Sequence, residues 1–307
     1  NSGDMLIIGS GGQLMPDRSR YGYWQFNIPL ELIDAIQVPI VVYGVGSNTF
    51  AHNGDGGPLS VAEQEVFKTH LARVCNKAVL CSVRDSIAFN LLKNELGISK
   101  TELIGDPALL LNPMRVINAV DTGVIGLVLG GDRIKERYGS RSNYLKVLIE
   151  LAEQVKDFIY NNGYINQVKL IPHSNLYDVE YNYILEQLLK SENFNFTFES
   201  RLLPESRDKL SHLCHVYNDC DYIISSRWHG NVIAAALGIP SVAVGSMLKQ
   251  QALYNDLEIP SWDCGKNLLE DVLRESKARF SATRFKAREL RKQTEIFSQA
   301  VCDVLCH

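Results

Sequence analysis

Residues 221–245 read DYIISSRWHGNVIAAALGIPSVAVG. Asp221–Ser225 is a short apolar run with polar residues on both sides, the pattern of a strand buried on both faces. Asn231–Leu237 begins a helix, and Ile239–Gly245 is a second buried strand rich in β-branched residues. A strand, a helix and a strand in so short a span make a parallel βαβ unit.

The same alternation extends outward in both directions. Upstream, Val124–Gly131 (VIGLVLGG) is a strand, Asn143–Tyr160 a helix, Val168–Pro172 a strand and Asp178–Leu189 a helix. Asn193–Glu199 is strand-like, and Arg207–Tyr217 is a helix. Further back, Met5–Gly9 (MLIIG), Ile40–Gly46 (IVVYGVG) and Ala78–Val83 are strands. Ile28–Ile36 has helical spacing. Ser60–Arg73 is a helix opened by Ser60 with Glu63 three residues later, a capping box. Ser86–Leu96 is a helix stopped at Gly97 by a left-handed cap, and a short strand then leads to Gly105-Asp106-Pro107. Downstream, Leu268–Leu305 is helical, with Phe297, Val301, Val304 and Leu305 on one stripe.

The expected architecture is therefore α/β, with two doubly wound parallel sheets. Polar residues and Pro113 in Asn112–Thr122 mark a junction. The expected domains are 1–115, 116–265 and a C-terminal helical segment, 266–307. In such folds ligands bind beyond the carboxyl ends of the strands.

Composition narrows the function. Of 307 residues 46% are hydrophobic and 21% charged, an ordinary globular composition that excludes disorder, collagen and coiled coil. Thirty-one basic against thirty-five acidic residues, net charge -4, argue against a global nucleic-acid footprint. No apolar run approaches the ~20 residues of a membrane helix. Seven scattered cysteines, an odd number with no CxxC pair, read as reduced thiols of a cytoplasmic protein. Cys214, His215 and Cys220 lack the ligands to complete a zinc set, so no metal is expected. Asn195-Phe196-Thr197 is a formal sequon inside a strand-like run, where chance explains it. The chain begins at Asn1, so its start carries no information about a signal peptide. Lys277–Lys292 holds seven basic residues and one acidic. That run is either a solvated face or a docking strip for an anionic membrane.

The strongest chemical signal is Ser225-Ser226-Arg227-Trp228-His229-Gly230, between a strand and a helix. A guanidinium grips carboxylate or phosphate bidentately, an imidazole can share a proton near neutral pH, and Gly230 with the first free N–H groups suits an anion. The bland alternative is a buried His on a carbonyl and an Arg paired with an acid. Gly9-Ser10-Gly11-Gly12 is a glycine loop after the first strand, but Leu14 breaks the GxGxxG pattern, so a nicotinamide enzyme is weakly supported. Gly44 and Gly46 form a similar turn. Arg84, in Ser82-Val83-Arg84-Asp85-Ser86, is a candidate anion contact beside capping residues. Asp106 is either a turn residue or a catalytic carboxylate. Arg133, Lys135, Arg137 and Arg141 crowd one loop after Gly130-Gly131-Asp132. They either face water or hold a phosphorylated donor. His173 lies after another strand, at the rim expected for His229.

On these residues the chain resembles the polysaccharide pyruvyl transferase family. The resemblance rests on DMLIIGSGG, PIVVYGVG, SVRD, GDPALLL and above all SSRWHGNVIAAALGIPSVAVG. Between Thr122 and Arg207 only the pattern matches. Family members usually carry a further strand and helix before the first glycine motif, so a trimmed chain or a divergent member is expected. The resemblance implies two Rossmann-like domains facing a cleft, GT-B-like, with the acceptor on the N-terminal side and the donor on the C-terminal side. It implies transfer of a pyruvyl group from phosphoenolpyruvate to two hydroxyls of a sugar, giving a cyclic ketal on a capsule or exopolysaccharide or its lipid-linked precursor. Arg227 and His229 carry over as donor-binding Arg and proton donor. Trp228 stands where the family often has Leu. Arg133, Arg84, His173 and Gly230 complete the expected donor contacts, with Asp106 as a further catalytic candidate and no cofactor. The enzyme is expected in the cytoplasm, at the inner face of the membrane.

Two other readings fit the residues. A sugar-nucleotide-dependent glycosyltransferase would hold its diphosphate with the same Arg and His and grip a ribose with Glu199, Glu205 or Asp208. A non-catalytic carbohydrate-binding protein on an enzyme fold would have no need of the Arg-His-Gly set. Tyr177, Tyr181 and Tyr183 are expected at the surface as an acceptor platform or interface.

Overall fold

A computed structural model describes residues 4–47, 59–111, 122–174, 176–190, 197–198, 209–245 and 248–306. It divides into two compact units, Asn1–Leu110 with Ala287–His307, and Leu111–Lys286.

The first unit runs β1 (Leu6–Leu14), a 3-10 turn at Tyr21–Tyr23, α1 (Leu30–Ala35), β2 (Ile40–Ser47), α2 (Val61–Lys77), β3 (Leu80–Val83), α3 (Ser86–Phe89) and β4 (Thr101–Leu103). Its sheet is parallel throughout, in the sequential order β1-β2-β3-β4. The capping box is present: Ser60 Oγ accepts from Glu63 N, and Ser60 N donates to Glu63 Oε2 at 2.7 Å. Buried Phe67, Leu71, Val74 and Cys75 of α2 lie against Val42, Cys81 and Val83 of the sheet.

Two local expectations change here. The helix expected over 86–96 is one α-turn followed by a wider π-helical turn at Asn90–Glu95. Leu96 N bonds Leu91 O while Ile98 N takes Leu92 O, which carries the chain past Gly97 at φ 67°. The glycine loop Gly9–Gly12 is not a loop. It lies inside β1, where Gly9 pairs with Tyr43 and Gly11 with Val45, and the register slips between Gly11 and Leu14. Backbone pairing with β2 outweighs the turn preference of the glycines.

The second unit runs β5 (Val124–Val128), α4 (Ile134–Tyr138), α5 (Arg141–Asn161), β6 (Gln167–Leu170), α6 (Val179–Leu189), β7 (Thr197–Phe198), α7 (Lys209–Asn218), β8 (Tyr222–Ser225), α8 (Trp228–Leu237), β9 (Ser241–Val244), α9 (Leu248–Leu257), β10 (Ser261–Trp262) and α10 (Leu269–Cys306). Its strands are all parallel, in the order β10-β9-β8-β5-β6-β7. From β5 the chain builds outward through β6 and β7, then returns to the other side of β5 for β8, β9 and β10. That is the Rossmann order, and it reverses between β5 and β8, where such sheets leave a crevice at their carboxyl ends. The core buries Tyr144, Leu148, Leu151, Val155 and Phe158 of α5 on Ile125, Leu127, Val168 and Ile224 of the sheet. Successive residues of β5, β8 and β9 are all buried, so both faces of these strands are covered and they lack alternation.

The helix α10 serves both units. Leu269, Val272 and Leu273 belong to the core of the second. Phe297 and Val301 pack with Val41 and Ile104 in the first. Tyr181 is not at the surface as expected: it is 7% exposed and meets Tyr144 edge-on, while Tyr177 and Tyr183 are exposed. Trp228 is likewise buried. Among the described residues no helix is long and apolar enough to cross a membrane, and all seven cysteines are free thiols.

Candidate functional site

The reversal of strand order brings three loops together at the carboxyl edge of the second sheet. Val128 of β5 pairs with Ser225 of β8, and Ser226 N donates to Val128 O at 3.1 Å. The loop after β5 carries Gly130, Gly131 and Asp132. That after β8 carries Ser226 and Arg227, and that after β6 carries His173 and Ser174. Gly130 N donates to Ser226 Oγ at 2.8 Å, which ties the first two loops together.

Asp178, fully buried at the start of α6, organises the cluster. Its Oδ2 accepts from His173 N and Ser174 N, each at 2.9 Å, and its Oδ1 accepts from Gly131 N at 3.0 Å. The Arg227 guanidinium forks onto the same carboxylate, Nε to Oδ2 at 3.1 Å and Nη2 to Oδ1. Five donors on one buried carboxylate make a rigid seat for the arginine. Gly131 is required by close approach, since a Cβ there would sit 1.7 Å from Tyr177 O.

A second carboxylate shares Arg227. Asp132 Oδ1 lies 2.8 Å from Arg227 Nη2, and its Oδ2 lies 3.2 Å from Arg137 Nη2. Arg137 also donates to Ser226 O at 3.2 Å. Burial pushes the Asp132 carboxyl up, but Arg137 and Arg227 outweigh it and hold it below the usual carboxylate range. Burial alone would lower Arg227. Its bonds to Asp178 and the charge of Asp132 raise it instead, so it stays charged. Asp178 thus holds the Nε and Nη2 side of the guanidinium, and Asp132 lies beside Nη2.

His229 sits exposed in the first turn of α8, two residues beyond Arg227. His173 Nε2 meets Tyr217 OH at 2.8 Å. Burial first, then the charges of Arg227 and His229, push the His173 imidazole down to about 3. It is therefore neutral at neutral pH, and any contact it makes with an anion is a dipolar one. Tyr144 adds a buried phenol whose hydroxyl has no partner among the described residues.

The remaining sequence candidates fall elsewhere. Arg133 is exposed and caps α4 in a left-handed conformation (φ 53°). Arg141 pairs with Glu180 at the surface. Arg84 and Asp106 belong to the first unit and bond each other, Nη1 to Oδ2 at 2.7 Å, at 2% and 3% side-chain exposure. Asp85 caps α3 and accepts from Ser47 N at 2.9 Å. Gly46 is held against this pair, since a Cβ there would lie 2.4 Å from Arg84 Nε. Gly44 lies in β2 beside Pro107, and Gly230 lies in α8 against Ser225. Glu199, Glu205 and Asp208 lie outside the described residues. No group of three His, Cys, Asp or Glu side chains among the described residues could hold a metal ion.

Sequence reasoning assigned no role to Asp178 or Asp132, and named Arg137 only within the basic run Arg133, Lys135, Arg137 and Arg141. Asp178 was legible only as a helix start. Arg137 was one basic residue in a run, and nothing local distinguishes the one that turns inward.

A family model described as polysaccharide pyruvyl transferase matches residues 2–246. No curated protein matches the chain. Among solved structures, S. aureus MnaA with UDP is similar at a TM-score of 0.50 and 11% identity, covering 94% of this chain and 70% of that one. A UDP-N-acetylglucosamine 2-epimerase structure from Listeria monocytogenes is similar at a TM-score of 0.50 and 9% identity, covering 94% and 69%. At such identities the likeness is one of fold, and the fold is GT-B-like.

Proposed function

We propose, from the premise that the chain belongs to the polysaccharide pyruvyl transferase family, that it moves a pyruvyl group from phosphoenolpyruvate to a saccharide. It is a transferase of polysaccharide biosynthesis. The donor and the ketal product are our reading. The observation that carries it is Arg227 at the strand-order reversal, seated on buried Asp178, with His229 exposed two residues on.

In this reading Arg227 binds an anionic group of the donor. His229 delivers a proton to the methylene carbon of the enol, which becomes the methyl group. One sugar hydroxyl attacks the oxocarbenium-like carbon, the C–O bond to phosphate breaks, and a second hydroxyl closes the ketal. The two hydroxyl protons balance the one taken up by carbon and the one that leaves with phosphate. A positioned guanidinium stabilises the departing charge, and a positioned acid typically contributes 10²–10⁴-fold. No resident cofactor is needed. The acceptor is a free or lipid-linked saccharide, and the enzyme works in the cytoplasm.

The basic run of α10 supports contact with an anionic membrane in part only. Arg279 is paired with Glu275 at 2.6 Å and Arg291 with Glu295 at 2.9 Å, while Phe285 is exposed.

The test is thermal-shift binding of phosphoenolpyruvate against a panel of nucleotide sugars. A ligand at 100 times its Kd adds about 2.7 kcal/mol. Phosphoenolpyruvate should stabilise the wild type and not Arg227→Lys, which keeps a charge but loses the fork. Stabilisation by a nucleotide sugar and not by phosphoenolpyruvate would overturn the reading in favour of a glycosyltransferase.

A further inference from the structure

We infer that the Asp132 carboxylate occupies the anion subsite of this enzyme and must leave it when the donor binds. The inference rests on the reading above for the identity of the donor, but not for the existence of the subsite.

The two carboxylates on Arg227 differ in kind. Asp178 is fully buried, and its acceptor positions are taken by three backbone N–H groups and the guanidinium fork. Releasing it would strand four partners. Asp132 has a side chain 23% exposed and touches two cations, Arg227 at 2.8 Å and Arg137 at 3.2 Å. Its Oδ2 bonds Arg137, whereas its Oδ1 lies beside Arg227 Nη2 without a hydrogen bond among the described residues, which makes it the looser of the two carboxylates on Arg227. Arg137 is anchored independently through Ser226 O, and Arg227 through Asp178. Both cations therefore keep their places when Asp132 leaves.

The charges point the same way. With Asp132 in place, two carboxylates balance Arg137 and Arg227. Removing it leaves one uncompensated positive charge between two forks, a site for an oxyanion. The loop itself can move one way and not the other. Gly131 is pinned by Asp178 and by its contact with Tyr177, whereas the residue after Asp132, Arg133, is exposed and held at φ 53°.

The consequence is a competition. The binding-competent fraction is the fraction with Asp132 displaced, and apparent affinity is reduced by that fraction. A minor state at about 10% makes the effect roughly tenfold. Asp132 thus discriminates against weak monoanions in the empty enzyme and keeps the arginines paired between turnovers.

The experiment is titration calorimetry of inorganic phosphate, pyruvate and phosphoenolpyruvate with wild type, Asp132→Asn, Asp132→Ala and Asp178→Asn. Melting temperatures are recorded for each variant to show that it is folded. Both Asp132 variants should bind phosphate or pyruvate about tenfold tighter than wild type, and whichever anion gains identifies the donor group the subsite takes. Asp178→Asn should weaken binding. If both Asp132 variants are folded and bind neither anion more tightly, the inference is overturned. If they gain for phosphate while phosphoenolpyruvate binds no protein, the subsite stands and the donor assignment falls. Phosphoenolpyruvate binding that is unchanged by Asp132→Asn retains the donor and removes the subsite.

Discussion

Each unit carries an arginine just beyond the end of a strand, paired to an aspartate, and the two pairs are built for different tasks. In the first unit Arg84 follows β3 and meets Asp106, both at most 3% exposed, with Gly46 pressed against the guanidinium. In the second, Arg227 follows β8, forks onto buried Asp178 and shares its outer edge with the half-exposed Asp132. A pair buried this deeply ties two loops together away from solvent. A seated arginine with an exchangeable outer partner can trade that partner for an incoming anion. The sheets account for the difference. The first unit's strand order runs sequentially among the described residues, whereas the second reverses at β5 and β8, the point in such sheets where ligands bind, and Arg227 stands there.

The largest expected effect tests burial. Asp106→Ala removes the buried carboxylate that bonds Arg84, and Asp178→Ala the carboxylate on which Arg227 forks; each should lose about 3–5 kcal/mol in urea unfolding. Asp132→Ala should lose less than about 1 kcal/mol, as partly exposed pairs do. An Asp106→Ala protein with a wild-type urea midpoint would erase the contrast between the two pairs.

Next in size are the two glycines. A Cβ at Gly131 meets backbone, Tyr177 O at 1.7 Å, whereas one at Gly46 meets the side chains of Arg84 and Asp85 at 2.4 and 2.7 Å. Overpacking costs about 1–3 kcal/mol, and Gly131→Ala should sit at the upper end because a carbonyl yields less than a side chain. Equal melting temperatures for the two variants would show that the β5 loop is no stiffer than β2.

A further effect is a pH dependence, small near neutral pH. His173 is held neutral down to about 3, against 6.5 for an ordinary imidazole. Between those values the unfolded chain binds a proton that the native protein refuses. This group's contribution is therefore fully present above pH 6.5 and is lost as pH falls toward 3. His173→Gln should flatten the fall in stability across that window by up to one proton, read as Tm against pH. Parallel curves for the two proteins would place the imidazole in water.

Much of the fold was legible because its signals are local. The capping box at Ser60, the stop at Gly97 and the continuous apolar strands all depend on residues a few positions apart. The π-helical turn at Asn90–Glu95 and the strand through Gly9–Gly12 were not, because each depends on what the backbone bonds to farther along the chain. The candidate site divides in the same way. Arg227 and His229 announce themselves by sitting between a strand and a helix. Asp178 is one carboxylate among many until three loops converge on it.

The sequence by itself determined two parallel α/β repeats, the family and the Arg227-His229 motif, because strand, helix and cap preferences are set within one or two turns of chain. The tertiary structure decided which acid each arginine meets. Arg227 and Asp178 lie 49 positions apart and Arg84 and Asp106 lie 22 apart. Their pairing follows from which strands are neighbours in the sheet. Local periodicity is the same for every strand order, so only the packed sheet could seal one arginine away and leave the other at an open edge.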